Sequence, residues 1–227
     1  MTKPKITEAE FRGIKYKFYD YDDTLGVLGD HYKTFQKGIT FYDDDNIVDI
    51  GANQAVFSIM MAKEFPKVKI YGYEPVTETY HKALANIELN EVTNIEMFNL
   101  GVTGDGRDIT MSWVPSWSGG GTMYMKDRTD EHSVQYNVHT VTLDDIIRKL
   151  RRIRLLKFDC EAAEYEIFYA SKLLDRVDMA VGEIHHDWRD TGWKPVYKNQ
   201  KYDDADIHKL ATYINSKTRL RYYVKCG

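Results

Sequence analysis

Cysteine is scarce in this chain of 227 residues: Cys160 lies inside an apolar run and Cys226 sits beside the C-terminus. Two thiols so placed make neither a metal-ligand spacing nor a disulfide framework, and both are expected to be reduced. Long apolar runs are missing too. Stretches such as Ala55 to Ala62 fall far short of the ~20 residues a membrane span needs, and the opening Met1-Thr2-Lys3-Pro4-Lys5 has no apolar signal core,. The expectation is a cytoplasmic protein with no membrane span. Neither sign of charge is in excess, since 31 basic and 35 acidic residues leave a net charge of −4. A phosphate-backbone partner would therefore need a local basic patch. The best candidate, Arg148-Lys149-Leu150-Arg151-Arg152-Ile153-Arg154, stands where a helix should end, and cations there complement the helix dipole. No nucleic-acid partner is expected. Internal repeats and low-complexity tracts are absent as well.

What remains is ordinary globular material, 43% hydrophobic and 13% aromatic, of a length that suits one core. From Asn46 onward short apolar runs alternate with helical patterns, the mark of βαβ units on a parallel sheet. The predicted fold class is therefore a doubly wound α/β, Rossmann-like sheet with helices on both faces, in a single domain over residues 1–227. Residues 1–40 are expected to form an N-terminal cap and residues 41–227 the core. Predicted strands run over Ile47 to Ile50, Val68 to Tyr73, Ile95 to Val102, Leu155 to Asp159, Met179 to Ile184 and Leu220 to Val224. Predicted helices run over Gln54 to Glu64, Thr77 to Leu89, Thr142 to Leu150, Ala162 to Leu174 and Asp206 to Ile214. The rhythm fails between Asp108 and Val141, where two strand patterns flank the turn-rich Pro115 to Gly121 stretch. This reads as an inserted hairpin or flap.

In an open parallel sheet the ligand sits beyond the carboxyl ends of the strands, where strand order reverses. The loop after the first core strand is Asp49-Ile50-Gly51-Ala52-Asn53-Gln54. Glycine lets a ligand approach the backbone closely, and the following helix start offers free N–H donors. Asp49 can accept from a cationic amine, and Asn53 can donate or accept. The second strand ends in Glu74-Pro75, and Glu74 lies 23 residues after Gly51, about the offset at which an acid meets a ribose diol in this architecture. A nucleotide-like ligand with an amino-acid tail satisfies all of these. A dinucleotide fits less well, because Asn53 and Val56 stand where G-x-G-x-x-G wants its second and third glycines. Asp159 and Glu161 lie two apart and share a face, as do Glu183 and His185 at the next strand end. Such carboxylates can act as a base or hold a divalent metal, though no metal ligand set is implied. His185 can take a hydroxyl proton, and Glu164 reads as a cap or a surface acid. Trp113, Trp117, Trp188 and Trp193 fall in the flap and a late loop, where aromatic faces suit a sugar as well as local packing.

Taken together, Asp49-Ile50-Gly51-Ala52-Asn53, Glu74-Pro75 and Lys157-Phe158-Asp159-Cys160-Glu161-Ala162-Ala163-Glu164 resemble the FkbM family of methyltransferases. The Thr142-Leu143-Asp144-Asp145 helix start and Gly182-Glu183-Ile184-His185 resemble it too, and the likeness covers roughly Gly38 to His186. Two positions depart from the family pattern, Ala55 and Ala162, where glycine is usual; alanine is tolerable there at negative φ and costly at positive φ. The resemblance implies S-adenosylmethionine as cofactor, with Asp49, Gly51, Ala52, Asn53, Glu74 and Pro75 around it. It also implies that Asn99, Leu100, Gly101 and Val102 line the adenine, and that Asp159, Glu161 and His185 face the reactive methyl as the catalytic group. The expected reaction is transfer of a methyl to a hydroxyl of a sugar or other small molecule. The rival expectations are a nucleoside-binding module without turnover and, more weakly, a nicotinamide-dependent oxidoreductase.

Overall fold

The computed structural model describes residues 4–19, 28, 39–113, 134–185 and 204–225. The chain opens with an antiparallel hairpin of β1 (Ile6–Phe11) and β2 (Ile14–Tyr19). Its two-residue turn, Arg12-Gly13, has φ of 52° and 78°, the left-handed pair that matches the twist of hairpin strands. Strand β2 alternates as Ile14-Lys15-Tyr16-Lys17-Phe18, the period of a half-buried strand, with Tyr16 and Phe18 buried,. The hairpin packs on helices.

Three strands, β3 (Asn46–Ile50), β4 (Lys69–Tyr73) and β5 (Ile95–Phe98), step outward in one direction and pair in parallel. The predicted third strand does not continue to Val102. It breaks after Phe98, and Gly101–Thr103 (β6) leaves to pair with Thr140–Thr142 (β9) in a separate ribbon. Between these, β7 (Ile109–Trp113) and β8 (Val134–Val138) form the expected antiparallel insertion. Its tip, with Trp117 and Gly119 to Gly121, lies outside the described residues, as do His186, Trp188 and Trp193. Strands β10 (Ile153–Phe158), β11 (Val177–His185) and β12 (Arg219–Lys225) then build outward from the other side of β3, again in parallel. Strand order therefore reverses between β3 and β10.

Helices α1 (Val56–Glu64) and α2 (Thr77–Leu89) cover one face of this sheet, and α3 (Leu143–Leu150), α4 (Glu164–Ala170) and α5 (Asp204–Asn215) the other. Val56 to Ala62 of α1 are buried without a break. A helix that is apolar all round needs cover on every side. Ile47, Ile70 and Leu155 provide it from the sheet, and Tyr16 and Phe18 of the hairpin provide it from outside. Helix α3 starts as predicted, with Thr142 Oγ1 accepting from Asp145 N at 3.0 Å. Helix α4 is shorter than predicted because the buried Asp144 carboxylate accepts from Ser171 Oγ and Lys172 N and halts it. The basic run is engaged within the chain, Arg148 with Asp145, and Arg152 and Arg154 with Asp178. No helix among the described residues is long and apolar enough to cross a membrane.

Candidate active site

The reversal point brings the first turn against the end of β10. Gly51 has φ +72°, and a Cβ there would lie 1.9 Å from the backbone oxygen of Asp159. Gly51 N and Ala52 N both donate to Tyr73 O at 3.0 Å, tying the turn to β4 as well. Asn53 and Ala55 follow at φ 50° and 62°, so the turn uses the left-handed region three times before α1 begins. Ala55 stands at a position that suits glycine, and its methyl carries the strain.

Asp49 is fully buried beneath this turn. Its Oδ2 accepts from Ser58 Oγ at 2.8 Å, and Lys157 Nζ lies 3.1 Å from Oδ1. Lys157 also donates to Gly51 O at 2.9 Å. Burial opposes the lysine's charge, but Asp49 and then Asp159 outweigh it and hold its pKa above the usual value. Asp49 thus supports the turn from below. Nothing in the sequence pattern distinguished that from a direct contact with a ligand amine.

Glu74 closes the other side. One carboxylate oxygen accepts from Asn53 N and the other from Val76 N, both at 2.9 Å. Burial raises its pKa to about 7 against the pull of those two N–H groups. Each oxygen keeps a second lone pair for a hydroxyl donor. Asn99 Nδ2 donates to Glu74 O and Pro75 O at 2.9 and 3.1 Å, so the residue just past β5 braces this corner. Gly101 and Val102 are buried where β6 meets the insertion; a Cβ on Gly101 would lie 3.2 Å from both Thr140 and Val138. Trp113 is buried in the core edge-on to Tyr136, which makes it a packing residue.

Asp159, Glu161 and His185 do converge. His185 Nε2 lies 3.5 Å from Asp159 Oδ1, 3.7 Å from Glu161 Oε2 and 3.8 Å from Glu183 Oε2. Glu161 and Ala162, at φ 49° and 78°, turn the chain back so that it re-enters as α4. Ala162, like Ala55, is an alanine in left-handed backbone. Glu164 was expected to cap or to face solvent. It does neither: it is fully buried, accepts across the preceding turn from Cys160 N at 3.0 Å, and holds His185 Nδ1 at 2.9 Å, while its helix start has no side-chain cap. An acid at a helix start is so common that its second partner, 21 residues on, left no local signal. Burial would push the His185 pKa down, but Glu164, then Glu161 and Asp159, lift it to about 10. With those acids as its only neighbours the ring favours the protonated form. Burial pushes the Cys160 thiol up, so it is not poised as a nucleophile,.

The chain is similar to known methyltransferases. Residues 49–222 match the model of the Methyltransferase FkbM domain. Among curated relatives, Methyltransferase 1 of Beauveria bassiana is 28% identical over 166 residues, covering 63% of this chain and 66% of that protein. Methyltransferase sdnD of Sordaria araneosa is 27% identical over 150 residues, covering 53% and 58%. The matched stretch thus spans under two thirds of each relative's length. Among solved structures, an rRNA methylase from Streptococcus thermophilus is 14% identical with a TM-score of 0.34, covering 60% of this chain and 57% of that one. M. jannaschii TYW2 in complex with AdoMet is 19% identical with a TM-score of 0.31, covering 43% and 44%. Since the domain match takes in most of its length, and the matched span begins at the very aspartate beneath the first turn, the chain belongs to the FkbM methyltransferase family.

Proposed function

We propose that this chain is an S-adenosylmethionine-dependent O-methyltransferase acting on a hydroxyl of a sugar or other small molecule. The observation that carries the reading is the contact between Gly51 and Asp159. It sets the ligand-binding turn directly against the cluster that can handle an acceptor's proton. The turn suits the cofactor: Asn53 Oδ1 is buried with no hydrogen bond among the described residues, and Glu74 has lone pairs left for a diol. S-adenosylmethionine, when bound, supplies a methyl already activated on a sulfonium. Asn53 and Glu74 orient it, and the wall of β10 and β11 sets the direction of approach for the acceptor. In the transfer the acceptor oxygen would take the methyl, and the sulfur would keep the electron pair of the bond that breaks. The hydroxyl proton passes to the carboxylate of Asp159 or Glu161. Glu164 holds one nitrogen of His185 while the other faces Asp159 and Glu161, so the ring orients these acids.

The test is turnover of the full chain with S-adenosylmethionine and a panel of sugar and small-molecule alcohols. S-adenosylhomocysteine and the product's gain of one methyl group are followed by mass spectrometry. Methyl ether formation with at least one alcohol is the expected result, and Asp159→Asn should bind cofactor but lose rate. Cofactor binding without turnover on any alcohol, amine or thiol would favour a binding module, and methylation of amines alone would overturn the hydroxyl assignment.

A further inference from the structure

The cluster around His185 has a geometry that proton handling alone does not explain. The ring is 1% exposed and its Nδ1 lies 2.9 Å from Glu164 Oε1, on a side chain that is itself fully buried. With Nδ1–H donating to that carboxylate, the lone pair of Nε2 points the other way. Nε2 is buried and makes no hydrogen bond among the described residues. It faces carboxylate oxygens of Asp159, Glu161 and Glu183 at 3.5, 3.7 and 3.8 Å.

Nε2 closes on none of the three to the roughly 2.7–2.9 Å of a charge-assisted hydrogen bond and stands nearly equidistant from them,. Atoms that share a central ion sit in this way. Ligands each about 2.1 Å from an octahedral cation are separated by roughly 3–4 Å. One ligand atom each from Asp159, Glu161 and His185 lie within 4.8 Å of one another. Among the described residues, carboxylate oxygens of Asp159, Glu161, Glu164 and Glu183 all approach this imidazole. A buried carboxylate on the far nitrogen is also the usual device that fixes a metal-binding histidine in its ligating tautomer.

We propose that Asp159, Glu161 and His185, with Glu183 at the rim, bind a divalent cation, and that Glu164 positions the His185 ring for it. One imidazole among carboxylates is a donor set for Mn²⁺ or Mg²⁺. Three protein ligands leave octahedral positions for water or for oxygens of an acceptor. The site stands on its own geometry and does not depend on which acceptor, or whether any, is methylated.

The test needs neither methyl donor nor acceptor. The full chain is stripped with chelator and titrated with MnCl₂, free Mn²⁺ being followed by electron paramagnetic resonance. The expected result is saturable binding of a single equivalent, accompanied by a rise in melting temperature. Asp159→Asn and Glu161→Gln should each weaken binding at least tenfold while keeping the parent circular dichroism. Glu164→Gln, which alters the ring's support and no ligand, should weaken it by about 10–100-fold. If His185→Ala fails to fold, the two carboxylate variants still decide the matter. No Mn²⁺ binding by the folded parent would overturn the proposal, as would unchanged binding in folded Asp159→Asn and Glu161→Gln.

Discussion

Lys157 Nζ lies 3.1 Å from Asp49 Oδ1, and the two residues face each other across β10 and β3 in direct register. Both side chains are shut off from water, and the same lysine donates to Gly51 O. One buried pair therefore joins the two strands at the point where their order reverses and holds the turn above them. Removing one partner strands the other charge in the interior, which commonly costs about 3–5 kcal/mol. Lys157→Met should lose that much stability in urea unfolding. The double variant Asp49→Asn, Lys157→Met should lose less than the sum of its two single changes, because no isolated charge remains. A loss below about 1 kcal/mol in Lys157→Met would mean that this pair does not hold the two strands together.

Much of this arrangement was legible in the residues. The strands on either side of the reversal are short apolar runs between turn residues, and Asp49, Glu74 and Asp159 fall at their ends whatever the details of packing. The break after Phe98 was not legible, because Val102 keeps an apolar pattern while its backbone moves to a different ribbon. The hairpin partner of α1 did leave a signal, since Ile14-Lys15-Tyr16-Lys17-Phe18 alternates after Arg12-Gly13 and Val56 to Ala62 has no polar face, but neither says that the two pack together. Gly51 was read as making room for a ligand. The structure adds that the backbone of Asp159 occupies the space, so a side chain there would disturb the sheet itself before it touched a cofactor.

Ala55 and Ala162 are alanines at φ 62° and 78°. Left-handed backbone costs an L-residue roughly 1–2 kcal/mol, against a glycine entropy penalty of about 0.5–1 kcal/mol. Ala55→Gly and Ala162→Gly should each therefore raise stability by about 0.5–1 kcal/mol. Thermal melts of the two variants and their combination test this, and the gains should add because the sites lie in different turns. A lower melting temperature for either would show that its methyl packs for more than the strain it causes.

Asn86 is fully buried on α2 and serves two other elements. Its Oδ1 accepts from Tyr19 N at 3.0 Å, and its Nδ2 donates to Gln54 O at 3.1 Å. One amide thus links the hairpin to the cofactor turn, beside the two bonds that Asn90 makes to Lys17. Asn86→Ala should cost about 1–3 kcal/mol per group left without its partner, and it should speed amide exchange at Tyr19 while leaving β10 and β11 protected. Asn86→Asp keeps the acceptor and loses the donor, so it should retain slow exchange at Tyr19. Equal protection at Tyr19 in the alanine variant would remove Asn86 from this role.

Glu74 offers a pH test of the cofactor corner. Its pKa in the folded chain is about 7, above the ordinary 4.5 of a glutamate, with burial as the leading cause. A carboxyl whose folded pKa is raised binds its proton more tightly when folded, so its contribution to stability is full below about pH 4.5 and is lost as pH rises through about 7. The unliganded parent should thus lose stability between pH 5 and pH 8 relative to Glu74→Gln, by up to about 3 kcal/mol. Ligand binding should show the opposite trend. A ribose diol donates its hydroxyl protons, and only the ionised carboxylate accepts from both without surrendering an oxygen to its own proton. Affinity for S-adenosylhomocysteine should therefore rise with pH through about 7 in the parent and stay flat in Glu74→Gln. The variant's affinity above pH 8 should fall by about 1.5–3 kcal/mol, the worth of a hydrogen bond to a charged group. Calorimetric titration of both proteins at matched ionic strength, paired with urea unfolding across the same pH range, measures the two trends independently. If stability followed the expected slope but affinity did not, Glu74 would be a buried support for Asn53 and Val76, and the diol would have to be held elsewhere.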